Sequence, residues 1–440
     1  MYQDILVRKK LKLNLFELLF IIYSFFQMFL FTWLWNKNFY QYIFMVYIIY
    51  FIIVVVDSKK KHNSKVRIIG VIFVLVNITV IYLNISENGI SAHLLKNVFN
   101  VFSNIFIIIF FGFIIKNKRE ALERLIIKNL SVVLNLYFFI NVPIIIKQIG
   151  NTGFMMRFTD GNPLYFDQIT GLIGVNGTHR MTFYWVALTL INIYIYQKYK
   201  KKFILWMTIS EIIFMVIISS YCDNTAFYYF FPIIILQFFI KEFLKINIRG
   251  FVKFISIIVV VTICGVYIYN NNEQVNEFYN SRIKEKYEQY SGKSGEQEDE
   301  ERVILFKYAL DYGNGYKLGS GIGSATYGDI MLPPHFGMNE ISIITYQGGL
   351  IYLLSIILLY SYYSIRLLYF SNKIKLIRFF AYLIMVINYT VMSIYTQVFS
   401  TFEMIFMLAI ILSIFNFKYT EKIEDKHENL DKYDSLLNIE

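Results

Sequence analysis

The sequence predicts an all-α polytopic membrane protein, with about twelve transmembrane helices and one large, partly helical external loop. The chain has 440 residues, is 57% hydrophobic and has a mean hydropathy of +0.50. Only 17% of its residues are charged, against roughly 25% in soluble domains. Long apolar runs recur along the chain, and basic clusters mark every second connection between them. These features exclude an ordinary soluble protein.

The apolar runs give the predicted spans. A helix needs about 20 apolar residues to cross about 30 Å of hydrocarbon. Twelve runs of near that length lie at 13–35, 39–56, 67–85, 97–115, 129–149, 181–197, 203–220, 224–240, 251–269, 341–365, 379–398 and 402–417. The first is longer than a signal-peptide core and has no small-residue cleavage site, so we expect it to be retained.

The distribution of Lys and Arg predicts the orientation. Basic residues in short loops favour the cytoplasmic side. They cluster in alternate connections such as 59–61, 116–128 and 198–202, while the short connections between these hold one Lys or none. We therefore expect one membrane domain over 1–440, in the cytoplasmic membrane, with both termini and the tail 418–440 inside. Contact with anionic lipid then accounts for the net charge of +11, and we expect no nucleic-acid partner.

Two predicted external segments are long enough to build a site, 150–180 and 270–340. The second holds seven basic and twelve acidic residues, a net charge of −5, which is opposite in sign to the predicted cytoplasmic face. Apolar positions after Arg302 follow a helical spacing as far as Tyr312. The glycines of 313–323 are expected to end that helix.

Four external arginines are candidates for an anion site, because the planar guanidinium donates two parallel bonds to a phosphate and stays charged. Arg302 follows an acidic run, so a surface ion pair is its structural alternative, and Arg180 could instead anchor a span at the membrane interface. Arg157 and Arg282 have weaker sequence context.

The external loop also offers flexible and titratable groups. Gly319, Gly321 and Gly323 could let backbone amides approach a phosphate, or could simply form a sharp turn. His335 follows two prolines, and a neutral imidazole could accept a proton from an attacking hydroxyl, although an exposed loop histidine is the plainer interpretation.

The remaining patterns argue against other chemistries. The predicted spans hold only three acidic residues, Glu17, Glu211 and Glu403, which is few for a proton-coupled transporter. The two cysteines show no metal-ligand spacing, and no cofactor motif occurs. We therefore expect neither a metal nor a cofactor.

The segment 302–354 resembles the O-antigen ligase and polysaccharide-polymerase superfamily of bacterial membrane glycosyltransferases. Those proteins carry an arginine that opens an amphipathic helix, an aromatic residue, a small-Leu pair, a Gly-x-Gly-x-Gly turn, a His-Asn pair and a later glycine. The matching positions here are Arg302, Phe306, Ala309-Leu310, Gly319, Gly321, Gly323, Asn339 and Gly348-Gly349. The segment 157–180 is loosely similar to their other external loop.

One position departs from that pattern. Met338, not a histidine, precedes Asn339, and His335 lies three residues earlier. Either the loop shifts to bring His335 in, or this branch of the superfamily does not need the histidine there. The alternatives for proton removal are Glu340, a water at the acceptor, or no protein base.

The resemblance implies transfer of an undecaprenyl-pyrophosphate-linked oligosaccharide to an acceptor sugar hydroxyl. Arg302, His335 and Arg180 would be catalytic, and the substrate-binding positions would be Arg157, Gly319, Gly321, Gly323, Asn339 and Glu340. We expect a repeat-unit polymerase rather than a ligase, because the abundance of Phe, Tyr, Ile, Asn and Lys suggests a low-GC bacterium without lipid A. Expected partners are the lipid bilayer, a chain-length regulator and a flippase.

Two interpretations from other classes stay open on the sequence alone. A transporter or flippase of lipid-linked sugar would share the spans and the external loop. A purely structural membrane subunit would not need the loop arginine.

Overall fold

The computed structural model of the protein is almost entirely helical. It describes 15–26, 64–151, 154–155, 169–174, 177–222, 226–238, 298–325, 331–332, 336–337, 339–369 and 375–417, with a few isolated residues between them. Helix is the expected form for apolar runs in a bilayer, because every backbone polar group must be satisfied within the segment.

Twelve α-helices follow one another in the described part of the chain. They are α1 (Leu15–Phe26), α2 (Ser64–Asn88), α3 (Leu94–Leu125), α4 (Ser131–Gly150), α5 (Thr178–Tyr199), α6 (Lys202–Tyr221), α7 (Ala226–Tyr229), α8 (Phe231–Phe238), α9 (Glu298–Asp311), α10 (Glu340–Tyr369), α11 (Lys375–Tyr395) and α12 (Phe402–Ile414). A π-helix, Ile126–Leu130, joins α3 to α4, and a 3₁₀ turn, Gly171–Ile173, precedes α5.

Four described helical segments are long and apolar enough to cross a membrane, which is the character of a multi-pass membrane protein. They are Gly70–Asn88, Leu94–Gly150, Lys202–Ser219 and Glu340–Leu368. Leu94–Gly150 contains two of the predicted spans, so these segments account for five of the twelve. Helix also occupies at least part of five further predicted spans, at 13–35, 181–197, 224–240, 379–398 and 402–417. The predicted spans 39–56 and 251–269 lie outside the described residues.

The centre of the bundle is formed by α5 and α12. Almost every side chain of α5 from Met181 to Ile195 is buried, and every residue of α12 is buried. The two helices pack against each other, and α12 also packs against α3. A helix that is apolar all round belongs in such a position, surrounded by other helices.

The connection predicted at 116–128 is itself helical. Only Lys118 leaves helical geometry, with φ −138° and ψ 32°, and its ammonium pairs with the carboxylate of Glu17 at 2.7 Å. Glu123 accepts from Tyr194 at 2.6 Å and pairs with Lys198, near the end of α5. The chain therefore reverses direction around Lys118 without a loop.

The connections that the charge pattern predicts to be external lie together at one end of the bundle. The side chain of Ser91 donates to the carbonyl of Ile322, and Thr182 donates to Asn224. The opposite end of α5 carries the Lys198–Glu123 ion pair. Because α5 has 22 residues, the two ends are separated by about 30 Å.

The large external loop is partly helical and also contains strand. Its helix α9 starts at Glu298, four residues before Arg302, and the turns that follow it cover 312–318. Two short strands, β1 (Met331–Leu332) and β2 (Phe336–Gly337), pair antiparallel, with Met331 opposite Gly337. This hairpin was not predicted, because two-residue strands leave no alternating pattern in the sequence.

Candidate functional site

A cavity of about 320 Å³ opens at the end of the bundle where the predicted external connections meet. Its wall comes from the starts of α3, α5, α10 and α12, together with the segment 397–401 between α11 and α12. The polar lining residues are Lys96, Asn97, Asn100, Arg180, Glu340, Gln347, Gln397, Ser400, Thr401 and Glu403.

The helix directions favour an anion in this cavity. Four helices begin at or beside it, and the first N–H groups of a helix carry a partial positive charge. A negative ligand near several helix N-termini is stabilised by all of them.

Two cations add to that potential. Arg180 lies in the first turn of α5 and Lys96 in the first turn of α3. Within the described part of the chain, neither side chain has a salt bridge or hydrogen bond. An arginine that lines a cavity and has no protein partner there can turn its planar fork toward a ligand phosphate.

The carboxylate of Glu340 is already saturated by the protein. One oxygen accepts from the backbone N–H groups of Val398 and Phe399 at 2.5 and 2.8 Å, and the other accepts from the N–H and hydroxyl of Ser400 at 2.9 and 2.8 Å. Glu340 is 2% exposed. Its lone pairs hold the wall of the cavity, and its assignment as a substrate-binding residue or alternative base stays a prediction.

The opposite side of the same segment is also fixed. The carbonyl of Phe399 accepts from the amide of Asn104 at 2.7 Å and from the hydroxyl of Tyr360 at 2.8 Å. The segment 397–401 is thus held between α3 and α10, and the cavity wall keeps its shape without a ligand.

The glycine turn packs against α2 and α10. Gly349 breaks α10 with φ 74°, and the carbonyls of Tyr346 and Gln347 accept from the N–H groups of Ser320 and Gly321 at 2.8 and 3.0 Å. Asn84 accepts from the N–H of Ile322 at 2.8 Å and donates to the carbonyl of Gln347 at 3.0 Å.

These contacts concern two of the three glycine amides that were predicted to approach a phosphate, a role that stays a prediction. The N–H of Gly319 donates to Asn314 and that of Gly321 to Gln347, so both are occupied. All three loop glycines have positive φ, and a side chain on Gly323 would meet the backbone of His93 and Leu94. Gly319, Gly321 and Gly323 are needed for turn geometry and close packing.

Asn339 also has a structural role. Its side-chain oxygen accepts from the N–H of Ser342 at 2.8 Å, which is the geometry of a helix N-cap. It is buried beside the first turn of α10 and does not line the cavity. Asn339 therefore caps α10, and its predicted substrate contact stays a prediction.

The remaining predicted site residues are only partly described. Arg302 belongs to helix α9, but its side chain is not among the described parts of the structure. Arg157 and His335 lie outside the described residues. Helix α9 packs on α10 through Leu305, Ala309 and Ile343, and Ile343 also lines the cavity.

Sequence reasoning missed Lys96 and the polar segment 397–401. Both left a signal. Lys96 is the single lysine in a connection that the charge rule predicts to be external. The residues Gln397, Ser400 and Thr401 are a polar interruption between two apolar runs, which suits residues at the mouth of a cavity.

The described residues include no group of three or more His, Cys, Asp or Glu that could hold a metal ion. Comparison with protein-family models, with curated proteins and with solved structures finds no match to this chain.

Proposed function

We propose that the protein is a polysaccharide repeat-unit polymerase of the cytoplasmic membrane, with twelve spans, both termini inside and the cavity on the outer face. In this proposal it transfers an undecaprenyl-pyrophosphate-linked oligosaccharide to a hydroxyl of an acceptor sugar. The observation that carries the proposal is Arg180, which lines a cavity at several helix N-termini and has no described protein partner.

The proposed transfer reaction depends mainly on positive groups placed where the leaving pyrophosphate develops negative charge. The acceptor oxygen forms a bond to the anomeric carbon of the donor, while the bond from that carbon to the pyrophosphate oxygen breaks. Negative charge grows on the departing pyrophosphate, and Arg180 and Lys96 would stabilise it as it develops. A fixed cationic wall lowers this barrier more effectively than water, because it does not have to reorganise.

The hydroxyl proton leaves during the same step. His335 is the proposed acceptor, and Arg302 on α9 is a proposed second ligand of the phosphates. Glu340 is unsuited to proton removal, since its four accepted hydrogen bonds stabilise the carboxylate where it is. The packing of α9 on the cavity-lining Ile343 supports a role for α9 near the same substrate.

The position of the cavity supports a long lipid-linked substrate. The cavity lies at the end of a bundle whose outer helices expose many large apolar side chains, among them Leu75, Ile78 and Leu95. A polyprenyl chain in the bilayer could therefore reach the cavity while its sugars remain in water.

The test is replacement of Arg180 in cells that make the polymer. Arg180→Ala should abolish polymer and cause lipid-linked single repeats to accumulate, and Arg180→Lys should restore it poorly because an ammonium lacks the bidentate fork. The matched control is Arg124→Ala. Arg124 is exposed, lies one residue from Glu123 at the other end of the bundle, and donates only to its own helix at 3.2 Å. Polymer of parental amount and length from Arg180→Ala, at equal protein level, would refute the proposal.

A further inference from the structure

Three tyrosines form a ladder of parallel rings on the large external loop. The rings of Tyr346 and Tyr308 have centroids 6.3 Å apart with a 9° angle between planes. Those of Tyr308 and Tyr312 are 4.8 Å apart at 25°. Tyr308 and Tyr312 are one helical turn apart at the end of α9, so their backbone geometry brings the rings together.

The ladder ends on an open aromatic face. Tyr308 and Tyr346 are half-buried, whereas Tyr312 is 73% exposed. Among the described rings Tyr312 stacks on that of Tyr308 alone, and its 73% exposure leaves the other face open to solvent. Asp311 and Asn314, which flank it closely in sequence, are exposed as well and offer a carboxylate and an amide.

The inner end of the ladder lies beside the wall of the cavity. Tyr346 packs against the cluster of Leu305, Ala309 and Ile343, and Ile343 also lines the cavity. Gly313 makes this arrangement possible, because a side chain at that position would meet the ring of Tyr346. The ladder therefore runs from a residue that packs next to the cavity wall out to solvent.

We propose that the ladder Tyr312–Tyr308–Tyr346 is a binding platform for sugar rings of the growing glycan outside the catalytic cavity. One face of a pyranose is rich in C–H bonds and packs on the negative face of an aromatic ring, while its hydroxyls bond to neighbouring polar side chains. Tyr312 provides the ring, and Asp311 and Asn314 provide acceptor and donor groups. The ladder would hold the growing glycan between successive additions of repeat units, and this retention would set the polymer length.

This inference rests on the proposed polymerase function, and its test separates the two. Polymer length is measured in cells that carry Tyr312→Ala, Tyr312→Phe or Tyr316→Ala, with Arg180→Ala beside them. Tyr316 is the matched control, because it is 67% exposed on the same loop but belongs to no described ring pair.

Tyr312→Ala should shorten the polymer at least twofold while bonds between repeats still form. Tyr312→Phe should keep the parental length, because it keeps the ring, and Tyr316→Ala should be silent. With the purified full-length protein in nanodiscs, Tyr312→Ala should bind polymer from the parent strain roughly fivefold more weakly, the order expected for loss of one aromatic contact.

Parental polymer length and parental binding in Tyr312→Ala would overturn the platform. Equal shortening by Tyr312→Ala and Tyr316→Ala would also overturn it, in favour of contacts between exposed tyrosines and lipid headgroups. Polymer of parental length from Arg180→Ala would instead overturn the polymerase function itself.

Discussion

Removal of the Glu340 carboxylate tests whether the wall of the cavity is built as described. Glu340→Ala deprives two buried N–H groups, those of Val398 and Phe399, and the partly buried N–H of Ser400 of their acceptor. A buried donor without a partner costs about 1–3 kcal/mol. Water from the adjoining cavity can reach the segment, so we take the lower bound for each and expect a loss of about 3 kcal/mol.

The assay is thermal unfolding of the purified protein in detergent. An unfolding entropy of about 2.1 cal/mol/K per residue gives about 0.9 kcal/mol/K for 440 residues, so the expected fall in Tm is at least about 3 °C. Glu340→Gln should also lower the Tm, because the NH₂ group of the glutamine amide would face backbone N–H groups that need an acceptor. Glu120→Ala, at an exposed acid on α3, should leave Tm unchanged. A Tm within about 1 °C of the parent for Glu340→Ala would refute the clamp, because the expected fall is at least about 3 °C.

Three further predictions concern the loop and the topology. Asn84→Ala should weaken polymerisation and lower Tm, because Asn84 donates to the carbonyl of Leu318, accepts from the N–H of Ile322 at 2.8 Å and donates to Gln347 on α10 at 3.0 Å; a parental Tm would contradict this. Arg302→Ala should abolish polymer with Arg302→Lys rescuing poorly, and unaltered polymer would remove Arg302 from the site. In a chain without its two native cysteines, Ser291→Cys should label with an impermeant thiol reagent in intact cells and Ser64→Cys should not; the reverse pattern would overturn the orientation.

Sequence patterns alone were sufficient to predict the positions of most helices. Apolar runs and the Lys/Arg alternation depend only on residue type, and the described helices follow them closely. The helical form of the connection at 116–128 was not predicted. Lys118 pairs with Glu17 on α1 and Glu123 pairs with Lys198 on α5, and a polarity scale does not register such contacts between distant segments.

The site was predictable only in part. Arg180 is found at the cavity because an arginine at the outer end of a span has few other places to lie. Asn339 and the loop glycines were assigned to substrate because they match a family motif, and Glu340 was assigned beside them. Their partners, such as the N–H groups of 398–400 and the carbonyls of 346–347, are distant in sequence or depend on a helix break, and only coordinates reveal them.

The central claim is that the cavity with Arg180 binds the pyrophosphate of a polyprenyl carrier, and native mass spectrometry tests it most directly. Purified full-length protein is titrated with undecaprenyl pyrophosphate, which requires no knowledge of the sugars. We expect saturable binding by the parent and by Arg124→Ala, and at least about tenfold weaker binding by Arg180→Ala, since a hydrogen bond to a charged group is worth about 1.5–3 kcal/mol. Equal binding by the parent and Arg180→Ala would contradict the account.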